Sequence, residues 1–144
     1  MHSTKLSLVK FNPDLFPVLL EWFAKWEWTP CDLETIPNNS YFVARGDELV
    51  AFSCFLATDS NLAIMGFTIA NPEAQDKSAA VDWLISELLA KAAQQGYKYV
   101  HYYTDSEPMV KRMQNQHGFL VTDNASAYIL LKSLGGKNID FFDE

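Results

Sequence analysis

Two cysteines are all the chain has, and Cys31 and Cys54 stand too far apart for a CxxC motif. That excludes a disulfide framework and a thiolate zinc site. Cys54 lies inside an apolar run and reads as a buried free thiol. Basic residues are few, 11 Lys and Arg against 18 Asp and Glu, for a formal charge of −7. Nucleic-acid binding rests on many cations neutralising phosphates, so no nucleic-acid partner is expected. An acidic balance favours a cationic partner such as an amine, or serves solubility alone. No stretch approaches the roughly 18 apolar residues of a membrane span. The opening MHSTKLSLVK lacks the apolar centre of a secretory signal. A cytoplasmic protein with no membrane partner is expected. The sequence has no internal repeat, Walker loop, Ser/His/Asp signature, paired-carboxylate motif or metal-ligand spacing.

Against these absences, 49% of the 144 residues are apolar and 14% aromatic, the composition of a folded globular chain. The expected organisation is one domain over residues 1–134, followed by an acidic, aromatic tail over 135–144 (GGKNIDFFDE from Gly135). Lys5 to Phe11 alternates as a strand does. Asn12-Pro13-Asp14 ends it, and Leu15, Val18, Leu19, Trp22, Phe23 and Trp26 recur at helical spacing. A short helix near Asp32 to Thr35 precedes Pro37. Three β segments follow: Tyr41 to Arg45, Glu48 to Ala57 and Leu62 to Ala70. The middle one is apolar on both faces, as a central strand is.

The chain is organised around 62–92, LAIMGFTIANPEAQDKSAAVDWLISELLAKA. Here a strand stops at Asn71-Pro72, a short polar loop follows, and a helix opens near Ala79 and runs to about Gln95. Val81, Leu84, Ile85, Leu88, Leu89 and Ala92 form its buried face, while Asp82, Glu87, Lys91 and Gln94 face water. Gly96 stops it. A helix N-terminus after such a loop offers unpaired amides to an anion. Tyr97 to Thr104 is β-rich and, after a crossover helix, should run parallel to Leu62–Ala70. Another helix starts around Ser106-Glu107-Pro108 and ends at His117-Gly118-Phe119. Phe119–Thr122 and Ala127–Lys132 read as a closing antiparallel pair.

This order, β-α-α-β-β-β-α-β-α-β-β, resembles the plan of the GNAT N-acetyltransferases over about residues 5 to 133. Gln75-Asp76-Lys77-Ser78-Ala79-Ala80 falls on that family's Arg/Gln-x-x-Gly-x-Gly/Ala loop. Ser106-Glu107-Pro108-Met109 resembles its Asn-x-Pro-Met helix start. The resemblance implies an α/β (α+β) fold: a mixed, mostly antiparallel sheet of about six or seven strands, helices on both faces, and a splayed parallel pair of strands 4 and 5. It further implies that acetyl-CoA lies between those strands. The backbone of Thr68, Ile69 and Ala70 would hold its arm, and the amides of Gln75, Asp76, Lys77, Ser78, Ala79 and Ala80 its pyrophosphate, with Ser106 at the next helix. A strand N–H then acts as an oxyanion donor, and an amine, small or peptide-borne, attacks directly in a ternary complex.

The sequence departs from that family in definite places. Its loop has no glycine, and Asp76 adds a carboxylate there. The position of the family's proton-donating Tyr falls near Met113 or Gln114. The fourth strand carries no Glu base. The candidates for chemistry are therefore His101 and Tyr103, on one face of the fifth strand, with core packing as the competing reading. Trp26, Trp28 and Tyr41 suggest an aromatic wall for the acceptor, and packing accounts for them equally. Three readings stay open: an amine acetyltransferase, a GNAT-fold binding or regulatory protein with impaired catalysis, and a different α/β domain whose loop is a connector. A homodimer is compatible with each.

Overall fold

The computed structural model describes residues 5–121, which form one mixed sheet with helices on both faces. The strands are β1 (Leu6–Lys10), β2 (Asn39–Arg45), β3 (Glu48–Leu56), β4 (Leu62–Ala70) and β5 (Tyr99–Tyr102). They lie side by side in chain order, β1 to β4 antiparallel and β4–β5 parallel. The helices are α1 (Phe16–Trp26), α2 (Lys77–Gln94) and α3 (Glu107–His117), with 3-10 turns at Pro13–Leu15 and Leu33–Thr35.

α1 follows a turn capped by Asn12, whose Oδ1 accepts from the Asp14 amide at 2.9 Å. Pro17 lies in its first turn, where a missing N–H costs nothing. Leu19, Trp22 and Phe23 recur at helical spacing, are buried, and pack with Phe42, Phe52 and Ile69 on one sheet face. The helix stops where Glu27 takes left-handed backbone, φ 59°. On the other face α2 buries Val81, Leu84, Ile85, Leu88 and Ala92 against Val43, Ala51, Phe55 and Met65. Full burial of Leu84, Ile85 and Leu88 is worth roughly 1.5–3 kcal/mol each. Gly96, at φ 95°, ends this helix in the left-handed region, and the Tyr97 amide turns back to the Ala92 carbonyl at 3.1 Å.

The observed order matches the sequence reading through α3, with three corrections. The described residues hold five strands rather than six or seven. Phe119–Val121 follows α3 without strand pairing, and the expected strand at 127–132 and the tail at 135–144 lie outside the described residues. α2 begins at Lys77, two residues before the apolar period starts, because helix geometry needs no apolar side chain in its first turn. β5 is only four residues long, shorter than the β-rich run of 97–104, because β4 turns away from it.

Candidate functional site

The departure of β4 from β5 makes the site. The two pair in parallel from Leu62–Tyr99 to Met65–Tyr102, and a last bond runs from the Tyr103 amide to the Met65 carbonyl, 3.0 Å. Against β3, Cys54 pairs with Phe67 but Phe55 with Met65, so Gly66 is one residue too many. Such a bulge bends a strand and reverses which side its backbone groups face. A Cβ on Gly66 would meet the Tyr103 carbonyl oxygen at 2.9 Å, so only glycine lets β5 come this close at the fork. Beyond it, no strand among the described residues pairs with the outer edge of β4.

Backbone direction on that edge can be assigned. The Asn71 amide donates to the Val50 carbonyl of β3 at 2.7 Å. Strand alternation then turns Ile69 toward β3, and Thr68 and Ala70 toward the open edge. Of the three residues expected to hold a cofactor arm, Thr68 and Ala70 therefore face the cleft. Ile69 does not: its backbone is turned to β3 and its side chain is in the core. The Ala70 carbonyl is engaged by the indole of Trp26, which donates to it at 2.7 Å.

The loop from β4 to α2 is braced rather than free. Asn71 Oδ1 accepts from the Glu73 amide at 3.0 Å, and its Nδ2 donates to the Leu49 carbonyl at 3.2 Å. Arg45 of β2 donates to the carbonyls of Gln75 (2.7 Å) and Asp76 (3.1 Å). Lys77 donates to those of Ala74 (3.0 Å) and Pro72 (3.3 Å). With its carbonyls so occupied, the loop turns at Asp76 (φ 54°, ψ 45°) into α2, whose N-terminus has no side-chain cap. The Asp76 carboxylate is exposed and lies 4.0 Å from Arg45, not over the helix amides. Ala74 and Ala80 turn their methyls into the core.

Beside that N-terminus runs an open groove of about 320 Å³, lined by Ser78, Asp82, Pro108, Lys111, Arg112 and Asn115, with Gln116 at its end. Arg112 of α3 donates to Ser78 Oγ (2.9 Å) and the Ser78 carbonyl (3.0 Å). It also pairs with Asp82 at 2.9 Å. His117, nearly enclosed, contacts the same Asp82 oxygen at 3.0 Å. Asp82 thus does not simply face water, as the helical period suggested; it ties α2 to α3. Ser106 caps α3, its Oγ accepting from the Met109 amide at 3.3 Å.

Within the fork, Tyr102 Oη lies 2.9 Å from Thr68 Oγ1, which lies 2.9 Å from the buried Ser53 Oγ. Ser53 donates to the Phe67 carbonyl, 2.9 Å. Each hydroxyl has one proton. Ser53 spends its own on Phe67, so Thr68 donates to Ser53, and Tyr102 donates to Thr68. The Tyr102 phenol is pushed up by burial and stays protonated. His101 and Tyr103 come together as expected, Nδ1 to Oη 3.3 Å with edge-on rings. They sit on the α1 face of the sheet, since their neighbours Val100 and Tyr102 pack with the α2 face. Trp26 and Trp28 also meet, their rings 6.0 Å apart and 27° from parallel. Tyr41 does not join them: it packs on the α2 face, under Lys10 and Lys91. Met113 is core and Gln114 exposed.

Arg45, Asn71, Asp82, Tyr102 and Arg112 escaped the sequence reading as site residues. Asn71 alone had a local signal, an Asn-Pro turn; the others act across the sheet or between helices. Among the described residues no group of three His, Cys, Asp or Glu is placed to hold a metal, and no helix is long and apolar enough to cross a membrane.

No family model matches the sequence, and no curated protein matches it. Solved structures do. A transcriptional regulator from Bacillus halodurans C-125 superposes with a TM-score of 0.66 at 12% identity, over 88% of this chain and all of that one. An aminoglycoside acetyltransferase, meta-AAC0020, from an uncultured soil metagenomic sample in complex with sisomicin gives 0.61 at 16%, over 88% and 97%. N-acetylglutamate synthase from Neisseria gonorrhoeae, complexed with coenzyme A and L-arginine, gives 0.62 at 12%, over 74% of this chain and 26% of that one. Acetyltransferases predominate among such neighbours, and what they share with this chain is the architecture: it has the fold of the GNAT N-acetyltransferases.

Proposed function

We propose that the β4–β5 fork takes acetyl-CoA and that the chain transfers an acetyl group to an amine. The observation that carries this reading is the continuity of three features. The fork leaves the outer backbone edge of Thr68 and Ala70 without a strand partner, the Ala70 carbonyl being held by the Trp26 indole; the braced loop leads from it, and an uncapped helix N-terminus ends it. An extended amide arm fits an open strand edge, and a pyrophosphate fits free helix amides. The loop's lack of glycine does not oppose the fit. The Ala80 methyl is turned inward, Ser78 is held by Arg112, and Asp76 leans toward Arg45. Lys111 and Arg112 add positive charge along the groove beside α2.

Acetyl-CoA supplies an activated acyl thioester. The chain's part is to bind and orient. Thr68 and Ala70 offer edge backbone groups, and the first amides of α2 offer donors. Tyr102, its proton committed to Thr68, turns lone pairs to the fork and accepts rather than donates. The acceptor amine approaches from the α1 face, where Trp26 and Trp28 supply aromatic surface and His101 is exposed. Among the described residues His101, bonded to Tyr103, is the imidazole on that face, and imidazole is the side chain most often used as a general base.

A second reading is favoured by the same hydroxyl chain. With Tyr102 acting as an acceptor and Met113 in the core, the fork holds no obvious acid for a leaving thiolate. The fold would then bind CoA for recognition or regulation. Thermal denaturation with acetyl-CoA tests both: ligand at about 100 times its Kd adds about 2.7 kcal/mol of stability, and no rise in Tm refutes the cofactor assignment. Thiol release with a panel of amines separates turnover from binding. In the same titration Asp76→Gly tightens binding, since it removes a negative charge beside the anion; unchanged binding removes the pyrophosphate from this loop.

A further inference from the structure

The outer edge of β4 is closed by the chain's own side chain. Trp26, the last residue of α1, donates Nε1–H to the Ala70 carbonyl, the acceptor that alternation turns to the cleft. Several contacts hold the indole there. Glu27 reverses the chain in left-handed backbone, and the Trp28 amide returns to the Phe23 carbonyl at 2.9 Å. That reversal stacks Trp28 on Trp26. One residue earlier, Lys25 donates to Glu73 in the loop after β4 at 2.7 Å. Yet Trp26 is 39% exposed and Trp28 46%, while Trp22 on the same helix is 3% exposed. The pair lies over the edge of the sheet instead of filling its core.

We infer that Trp26 is a displaceable plug: its indole N–H occupies the backbone acceptor that an amide N–H of an acyl-thioester donor takes, so donor binding and the Trp26–Ala70 bond exclude each other. This rests on the fork being the donor cleft. A carbonyl oxygen carries two lone pairs, so what excludes the second donor is bulk: the indole and the Trp28 ring stacked on it occupy the edge from which that donor must approach. Opening the plug forfeits one direct hydrogen bond and a ring stack, both on a half-exposed surface. The cost appears as weakened donor affinity, a fixed penalty on a binding-competent state. It also gives selectivity: a ligand that offers no N–H to Ala70 gains nothing by displacing the indole.

Trp26→Phe keeps the ring and its stack and deletes the donor. Isothermal titration of the wild type and Trp26→Phe with CoA should show the variant binding about 3–10-fold tighter, the equivalent of one net hydrogen bond. In the wild type, saturating CoA should raise acrylamide quenching of tryptophan fluorescence as the indole is released, and Trp26→Phe should lose that increment. Equal or weaker CoA binding by the variant overturns the plug, as does quenching in the wild type that CoA leaves unchanged. Should CoA bind the wild type without these effects, the plug alone falls. Should CoA bind neither protein, the donor cleft falls and takes the plug with it. The wild-type quenching measurement stands even if the variant folds poorly.

Discussion

Gly66→Ala is the most direct probe of the fork. Within a strand, exchanging glycine for alanine ordinarily stabilises by about 0.5–1 kcal/mol, because the unfolded chain loses freedom. Gly66 does not have the positive φ that would forbid alanine, so backbone preference alone predicts a gain. The contact with Tyr103 reverses the sign. A Cβ would sit 2.9 Å from the Tyr103 carbonyl oxygen and 3.4 Å from its amide nitrogen and its Cβ. Backbone cannot rotate aside as a side-chain tip can. The fork must open until that oxygen reaches ordinary contact, and the Tyr103–Met65 bond, the last rung between β4 and β5, stretches with it. Overpacking costs about 1–3 kcal/mol, and weakening the rung adds up to about 1 kcal/mol. Set against the gain, a net loss of about 1–3 kcal/mol remains. At about 2–4 °C per kcal/mol for a chain of this size, Tm falls by roughly 2–12 °C, and the urea midpoint falls without a change in m. A Tm equal to or above the wild type's would mean that β5 does not press on Gly66 and that the fork is not set by this contact.

Two other perturbations test the frame around the site. Burial pushes the Cys54 thiol up to about 12 from 9.0. A raised acid pKa gives stability that is full below the unfolded value and lost as pH climbs through the folded one. The advantage of the wild type over Cys54→Ala should therefore shrink in urea melts between pH 9 and 12, and parallel pH profiles would contradict the burial. Asp82→Ala removes the carboxylate shared by the enclosed His117 and by Arg112, which keeps only its Ser78 bonds. It should cost about 1–3 kcal/mol in urea unfolding, with Asp82→Asn recovering part; an Ala variant as stable as the wild type would show that α2 and α3 are held by packing alone.

What the sequence made legible was what repeats locally. α1 and α2 were visible because Leu19, Trp22 and Phe23, or Leu84, Ile85 and Leu88, recur with the helix period, and Gly96 marks the stop. The parallel pairing of β5 followed from chain connectivity and the handedness of crossovers. The meeting of His101 and Tyr103 followed from the strand period of two. The rest depends on neighbours distant in sequence. Arg45 reaches Gln75 across 30 positions, and Arg112 reaches Ser78 across 34. Nothing in either local stretch distinguishes those arginines from surface ones. Residue type alone groups Tyr41 with Trp26, but β2 turns it to the opposite sheet face. Tyr102 was hidden in a run of tyrosines until the bulge at Gly66 brought Thr68 under its hydroxyl.

The loop at 71–80 shows how a backbone that other sequences build with glycine can be built without it. Glycine in an anion loop serves two purposes: it permits positive φ and it keeps Cβ atoms out of the way. Here one residue, Asp76, takes the positive φ. Aspartate is among the few side chains that tolerate that region, at a cost of order 1 kcal/mol. The methyls that could obstruct an approach are turned inward at Ala74 and Ala80, where they pack the core instead. What remains is the tendency of a turn to relax, and cations oppose it. Arg45 and Lys77 together hold four successive or near-successive carbonyls, those of Pro72, Ala74, Gln75 and Asp76. With the carbonyls pulled to one side, the amides that follow at the start of α2 are left pointing outward. The same cations offset the Asp76 charge, so a carboxylate in the loop and an anion at the helix are compatible so long as Arg45 stays in place.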